Sequence, residues 1–130
     1  MNLVKKLEEK KKIRELIREQ IENFCKKNDY IDTLVRRNPA KIEKITSEGI
    51  VVTPFKGKSG NAPTTRTVKW SEIECVYDVL CKKKKIEGVE DVRHCSEFST
   101  SYAIAFVGNF DNVENCSDER RIFLCLKDEF

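Results

Sequence analysis

Between Phe24 and Tyr30 the spacing of apolar residues changes from helical to strand-like, and that change bounds what this chain can fold into. Upstream, Ile13, Leu16, Ile17, Ile21 and Phe24 recur at i, i+3 and i+4, one stripe of a helix predicted from Leu3 to about Lys27. Leu3, Val4 and Leu7 hold a comparable face over the first turns, where Glu8 precedes Lys12 by one turn in the order that supports an exposed helix. Those turns either project into solvent or pack on a second subunit, and "NDY" ends the helix.

Downstream, the pattern is that of strands. "YIDTLV" is β-branched and aromatic, and "RNPAK" carries the Asn-Pro of a turn. "KIEKIT" and "IVVTPF", separated only by "SEG", predict an antiparallel hairpin. "RTVKW" alternates again and ends at Trp70, which is placed as a core anchor closing helix against sheet.

A second helix follows in "SEIECVYDVLCKKKK". Ser71, with Glu74 three residues on, has the arrangement of a capping box, and Ile73, Val76, Tyr77 and Leu80 form its buried stripe. Lys82 to Lys85 crowd the last turn, where cations meet the negative end of the helix dipole. "IEGVEDVRHCSEF" reads as an irregular connection. Residues 100–109 read as a short helix bracketed by Ser/Thr and by Gly108-Asn109, and "RRIFLCLK" as a C-terminal strand covered on both faces. The sum is one α+β domain over residues 1–130: a long N-terminal helix, a small antiparallel sheet that takes in the C-terminal strand, and two further helices packed on the sheet.

Composition is consistent with that. At 130 residues the chain can bury one core unaided, and 39% hydrophobic with 36% charged residues excludes a disordered chain. Many Lys and Glu beside a single Gln (Gln20) resemble thermophile composition, although the Asn content does not. "NLVKKLEEKKK" has no apolar core of a signal peptide, and the longest apolar run, "YAIAFV", is too short to cross a bilayer, so a cytoplasmic protein without a membrane partner is expected. The six cysteines, at 25, 75, 81, 95, 116 and 125, contain no CxxC pair. That spacing predicts no metal site, and mostly small buried side chains rather than a three-disulfide framework.

The "GKS" of Gly57-Lys58-Ser59 suggests a phosphate-binding P-loop, but the spacing excludes it. The first glycine of that motif would fall at Val52, inside a strand, and "GNAPTT" breaks the helix that must follow. What remains is a strand-connecting segment with Lys56, Lys58, Arg66 and Lys69 and no acid between Lys56 and Lys69, flanked by Phe55 and Trp70. His94 adjoins Cys95, yet a Cys–His pair needs facing side chains and sequence neighbours tend to point apart. The acidic stretches "VEDV" and "SDERR" read as solvated loop charge, so no catalytic residue, no enzyme activity and no cofactor is expected.

Charge is uneven along the chain. Residues 1–70 hold 17 basic and 9 acidic side chains, 17 − 9 = +8, and residues 71–130 hold 8 and 13, 8 − 13 = −5, which sum to +3. The leading expectation is a non-enzymatic module that binds nucleic acid through phosphates, using Lys56, Lys58, Arg66, Lys69 and the Arg36-Arg37 turn. About five phosphate contacts would give a log–log salt slope of roughly −4. The alternative is a protein-interaction or homo-oligomerisation module built on the N-terminal helix, in which the two oppositely charged halves match a partner.

Overall fold

A computed structural model of the chain describes residues 3–34, 38–55, 64–96 and 99–127. Helix α1 spans Leu3–Lys27, and its apolar stripe divides in two. Ile17 and Ile21 are buried, and Phe24 meets the Phe106 ring edge-on at 6.0 Å. Leu3, Val4, Leu7 and Ile13 stay exposed. The helix ends where the Asn28 amide donates to the Phe24 carbonyl at 3.0 Å.

The predicted strands form a four-stranded antiparallel sheet in the order β1 (Tyr30–Ile31), β2 (Ala40–Ile45), β3 (Gly49–Pro54), β4 (Arg66–Lys69). The β2–β3 turn is held by Thr46, whose hydroxyl accepts the N–H groups of Glu48 and Gly49, each at 3.2 Å. Gly49 is required there. A Cβ at this position would stand 2.1 Å from the Val68 carbonyl oxygen, so any side chain would force β4 away from β3. Ile31, Ala40, Ile50, Val52 and Val68 are buried on one face of the sheet, which belongs to the core.

Trp70 is buried as expected, but it opens the next helix rather than closing the strand. Helix α2 spans Trp70–Lys83, and its N-cap is Lys69, not Ser71. The capping acid moves with it: Glu72 accepts the Lys69 N–H at 2.9 Å, while Glu74 pairs with Arg14 of α1 at 3.3 Å. The register is set by the tryptophan, whose indole N–H donates to the Thr46 carbonyl at 3.0 Å and whose ring lies under the Arg18 guanidinium. The predicted buried stripe, Ile73, Val76, Tyr77 and Leu80, is in place, and Lys84 closes the helix in the left-handed region with φ 69°.

The stretch read as irregular is ordered by its chemistry. Strand β5 (Lys85–Ile86) leads into a 3-10 turn at Val89–Cys95, where the Asp91 carboxylate accepts the Glu87 N–H at 2.8 Å. A disulfide joins Cys95 to Cys75 of α2, with Cα atoms 5.5 Å apart. Of the other four cysteines, Cys25 and Cys81 are half-buried against the core, Cys125 is half-buried and Cys116 is exposed, so they are less buried than the sequence suggested. Burial and then the nearby Glu22 push the Cys25 thiol up to about 11.

Helix α3 (Thr100–Val107) is apolar all round and buried from Tyr102 to Val107. Ile104, Phe106 and Val107 each contribute about 1.5–3 kcal/mol on leaving water, before the entropy of ordering them, and the two alanines contribute less. The C-terminal strand β7 (Leu124–Leu126) is present, but it does not join the four-stranded sheet. It is the centre of a second, three-stranded antiparallel sheet in the order β5-β7-β6, with β6 at Val113–Asn115. Among the described residues no helix is long and apolar enough to cross a membrane.

Candidate nucleic-acid interface

The face of the four-stranded sheet turned away from the core follows from its register. Side chains alternate across a strand, and directly paired residues share a face. With Ile50, Val52 and Val68 inward, the rows Tyr30–Lys41–Thr53 and Lys44–Val51–Thr67 and the pair Gly49–Lys69 belong to the outer face. A β-bulge between Ile42 and Lys44 makes this possible. It holds Ile42 and Ile45 opposite the inward Val52 and Ile50, and so puts both Lys41 and Lys44 outside.

Two aromatic rings complete the face. Tyr30 and Phe55 meet edge to face with centroids 6.2 Å apart, yet they are 58% and 54% exposed. Burial therefore accounts for little of their presence. Beside them the Thr53 and Thr65 hydroxyls share a hydrogen bond at 2.9 Å. The paired rows carry Lys41, Lys44 and Lys69 and no carboxylate; Glu43 is the extra, exposed residue of the bulge. Among the described residues no ion pair engages those three lysines.

Of the residues singled out from the sequence, Lys69 lies on this face and Arg66 does not. Arg66 pairs with Val52 on the inward side and is half-buried near the Tyr102 phenol. Burial raises the phenol's pKa, Arg66 lowers it, and Asp32 raises it, so Arg66 belongs to a polar group under the sheet. Lys56, Lys58, Arg36 and Arg37 lie outside the described residues. Lys41 and Lys44 were missed by reading only the connecting segment. Their signal was present: two isoleucines three apart in a strand imply a bulge, and a bulge aligns the lysines that precede each of them.

The Lys82–Lys85 run is occupied locally. Lys82 pairs with Asp78 at 2.9 Å, Lys83 with Asp91 at 3.3 Å and Lys85 with Glu87 at 2.7 Å.

At the β4 edge a cleft of about 520 Å³ lies between the start of α2 and the 3-10 turn, lined by Thr67, Lys69, Glu72, His94, Cys95 and Ser96 among others. His94 does not point away from its neighbour: its Nε2 is 3.7 Å from Cys95 Sγ. That sulfur is bonded to Cys75 and so is no nucleophile in this state. The donor atoms of Cys75, His94 and Cys95 lie within 4.8 Å of one another, a set that could hold a metal ion. A second groove, about 480 Å³, runs between α1 and α2 past Ile13, Arg14, Glu74 and Cys75. Comparison with protein-family models, with curated proteins and with solved structures yields no match, so the reading of this surface rests on its own geometry.

Proposed function

We propose that this chain is a non-enzymatic module that binds single-stranded nucleic acid on the outer face of its four-stranded sheet. The observation that carries this reading is the exposed Tyr30–Phe55 pair on a face with three lysines and no paired-row carboxylate. Unstacked bases have two apolar faces and gain about 1–3 kcal/mol each on an aromatic side chain, while lysines at sheet spacing follow the phosphates. Duplex bases are already stacked on each other, so the aromatic pair favours a single strand. Lys56 and Lys58, one and three residues beyond Phe55 in the sequence, are taken as the two further phosphate contacts of this proposal. Arg66, on the inward side of the sheet, is not part of it.

The test is fluorescence anisotropy with labelled single-stranded DNA and RNA and a duplex control, titrated with salt. Five lysine–phosphate contacts give a log–log slope of about −3.5 on a single strand. Equal affinity for duplex and single strand, or binding indifferent to salt, would sink the proposal.

The first half of α1 favours a second reading, a protein-interaction or self-association module. Leu3, Val4, Leu7 and Ile13 are exposed apolar side chains on a helix whose fully buried residues, Ile17 and Ile21, lie in its second half. Deleting residues 3–12 and measuring mass by light scattering tests it: a change of mass with nucleic-acid binding intact assigns the two roles to separate surfaces.

A further inference from the structure

We propose that the Cys75–Cys95 disulfide and His94 are the oxidised form of a zinc site, which binds Zn²⁺ once the disulfide is reduced. The three donors are already gathered in one place. Tetrahedral zinc holds sulfur at about 2.3 Å and imidazole nitrogen at about 2.0 Å, which separates two such ligands by about 3.6 Å. His94 Nε2 and Cys95 Sγ are 3.7 Å apart, and all three donors fall within 4.8 Å. On reduction the two sulfurs, bonded to each other in the oxidised state, must part to about 3.8 Å by rotation of their side chains.

The supports are rigid. Cys75 sits on α2 between Ile73 and Val76, both fully buried, and Cys95 ends the 3-10 turn pinned by fully buried Val92. His94 is exposed and Cys95 opens onto the cleft at the β4 edge, so an ion has an entry path and room for a water as fourth ligand. Two thiolates and one imidazole are a soft, compact donor set that suits zinc and not magnesium or calcium. The sequence carries no CxxC signature because these ligands come from α2 and from a neighbouring His-Cys pair, twenty residues apart.

The chemistry balances in two steps. A dithiol reductant gives two electrons and two protons to the disulfide, leaving as its own cyclic disulfide, and the chain gains two thiols. Zn²⁺ then takes the two sulfur lone pairs and the Nε2 lone pair, and both thiol protons pass to solvent, so the site with its metal is neutral. Metal and disulfide exclude each other, because the same two sulfurs serve both. Bound zinc therefore slows reoxidation, and oxidation ejects zinc.

The experiment uses the full chain with Cys25, Cys81, Cys116 and Cys125 replaced by serine, so that one sulfur pair remains. The protein is reduced with a dithiol, desalted under nitrogen, and titrated with Zn²⁺ against a chromogenic chelator and with Co²⁺ as a spectroscopic probe. The reduced chain is expected to take up about one equivalent and to show thiolate-to-cobalt charge transfer with tetrahedral d–d bands, and the oxidised chain none. His94→Ala keeps the disulfide and hence the fold of the oxidised chain; it is expected to weaken zinc at least about tenfold, since losing a ligand costs no less than losing a supporting contact. No uptake by the reduced chain, uptake unchanged by His94→Ala, or a reduced chain that unfolds and is not refolded by zinc would each overturn the proposal.

Discussion

The Lys82–Lys85 run and the outer face of the four-stranded sheet are both rich in lysine, and they have opposite surroundings. In the run, Asp78, Asp91 and Glu87 each stand against one lysine. On the sheet face Lys41, Lys44 and Lys69 lie in rows whose other members are Tyr30, Val51, Gly49 and threonines. Local carboxylates cancel the field of the first group at short range, and in salt little of it extends beyond about 8 Å. Among the described residues no ion pair engages the second group, and exposed rings lie beside it. Lysine count along the sequence is therefore a poor guide to a polyanion surface, and lysine placement relative to acids and aromatics is a better one.

The largest test of that contrast removes the rings. Tyr30→Ala with Phe55→Ala is expected to cost about 1–3 kcal/mol per stacked base in single-strand affinity, while circular dichroism and thermal stability stay near wild type because both rings are exposed. Unchanged affinity would detach the aromatic pair from function. Next in size, Lys41→Gln, Lys44→Gln and Lys69→Gln together should reduce the salt slope by about 2, which is about 50-fold in affinity at 0.15 M salt. Lys82→Gln, Lys83→Gln and Lys85→Gln remove the same formal charge and should leave the slope nearly unchanged. Equal losses from the two triple variants would erase the distinction between the regions.

Much of the fold was legible because periodicity reports burial. The stripe Ile17–Phe24, the hairpin around Ser47–Gly49, the stripe of α2 and the short apolar α3 all stand where their spacing puts them, to within a turn. The capping box failed by two residues because Trp70 outweighed Ser71: an indole that buries its ring and hydrogen-bonds Thr46 fixes where α2 starts. The second sheet was not legible, since β5 and β6 are two and three residues long and carry no period of their own. The candidate site was only partly legible. Tyr30 and Phe55 are far apart in sequence and meet through strand register, and Cys75 finds Cys95 through the packing of a 3-10 turn on α2.

A third, smaller test acts on the scaffold of the face. Gly49→Ala puts a methyl where the Val68 carbonyl stands and should destabilise the chain by about 1–3 kcal/mol in urea unfolding. Because β4 carries Thr67 and Lys69, affinity should fall with it while the second sheet, probed by hydrogen exchange at Cys125 and Leu126, keeps its protection. Loss of protection in both sheets at once would mean that the two unfold as one unit.

The smallest effect belongs to the occupied lysines, and its pH dependence has a definite sign. The Glu87 N–H and then Lys83 hold the Asp91 carboxyl below its usual value of 3.8. A carboxylate with a depressed pKa stabilises the folded chain above the unfolded value, and that contribution fades as pH falls from about 3.8 through the lower folded value. Asp91→Ala should therefore cost about 1 kcal/mol at neutral pH and progressively less in acid, where the wild-type carboxyl is itself protonated. It also leaves Lys83 without this partner. If proximity to carboxylates is what silences the run, the variant's affinity for single strands should rise slightly, by no more than about twofold at 0.15 M salt, because a lysine on α2 is not in the strand rows that carry the rings. A rise comparable to the loss from Lys41→Gln would show instead that any unpaired lysine on this surface binds, and that the sheet face is not special.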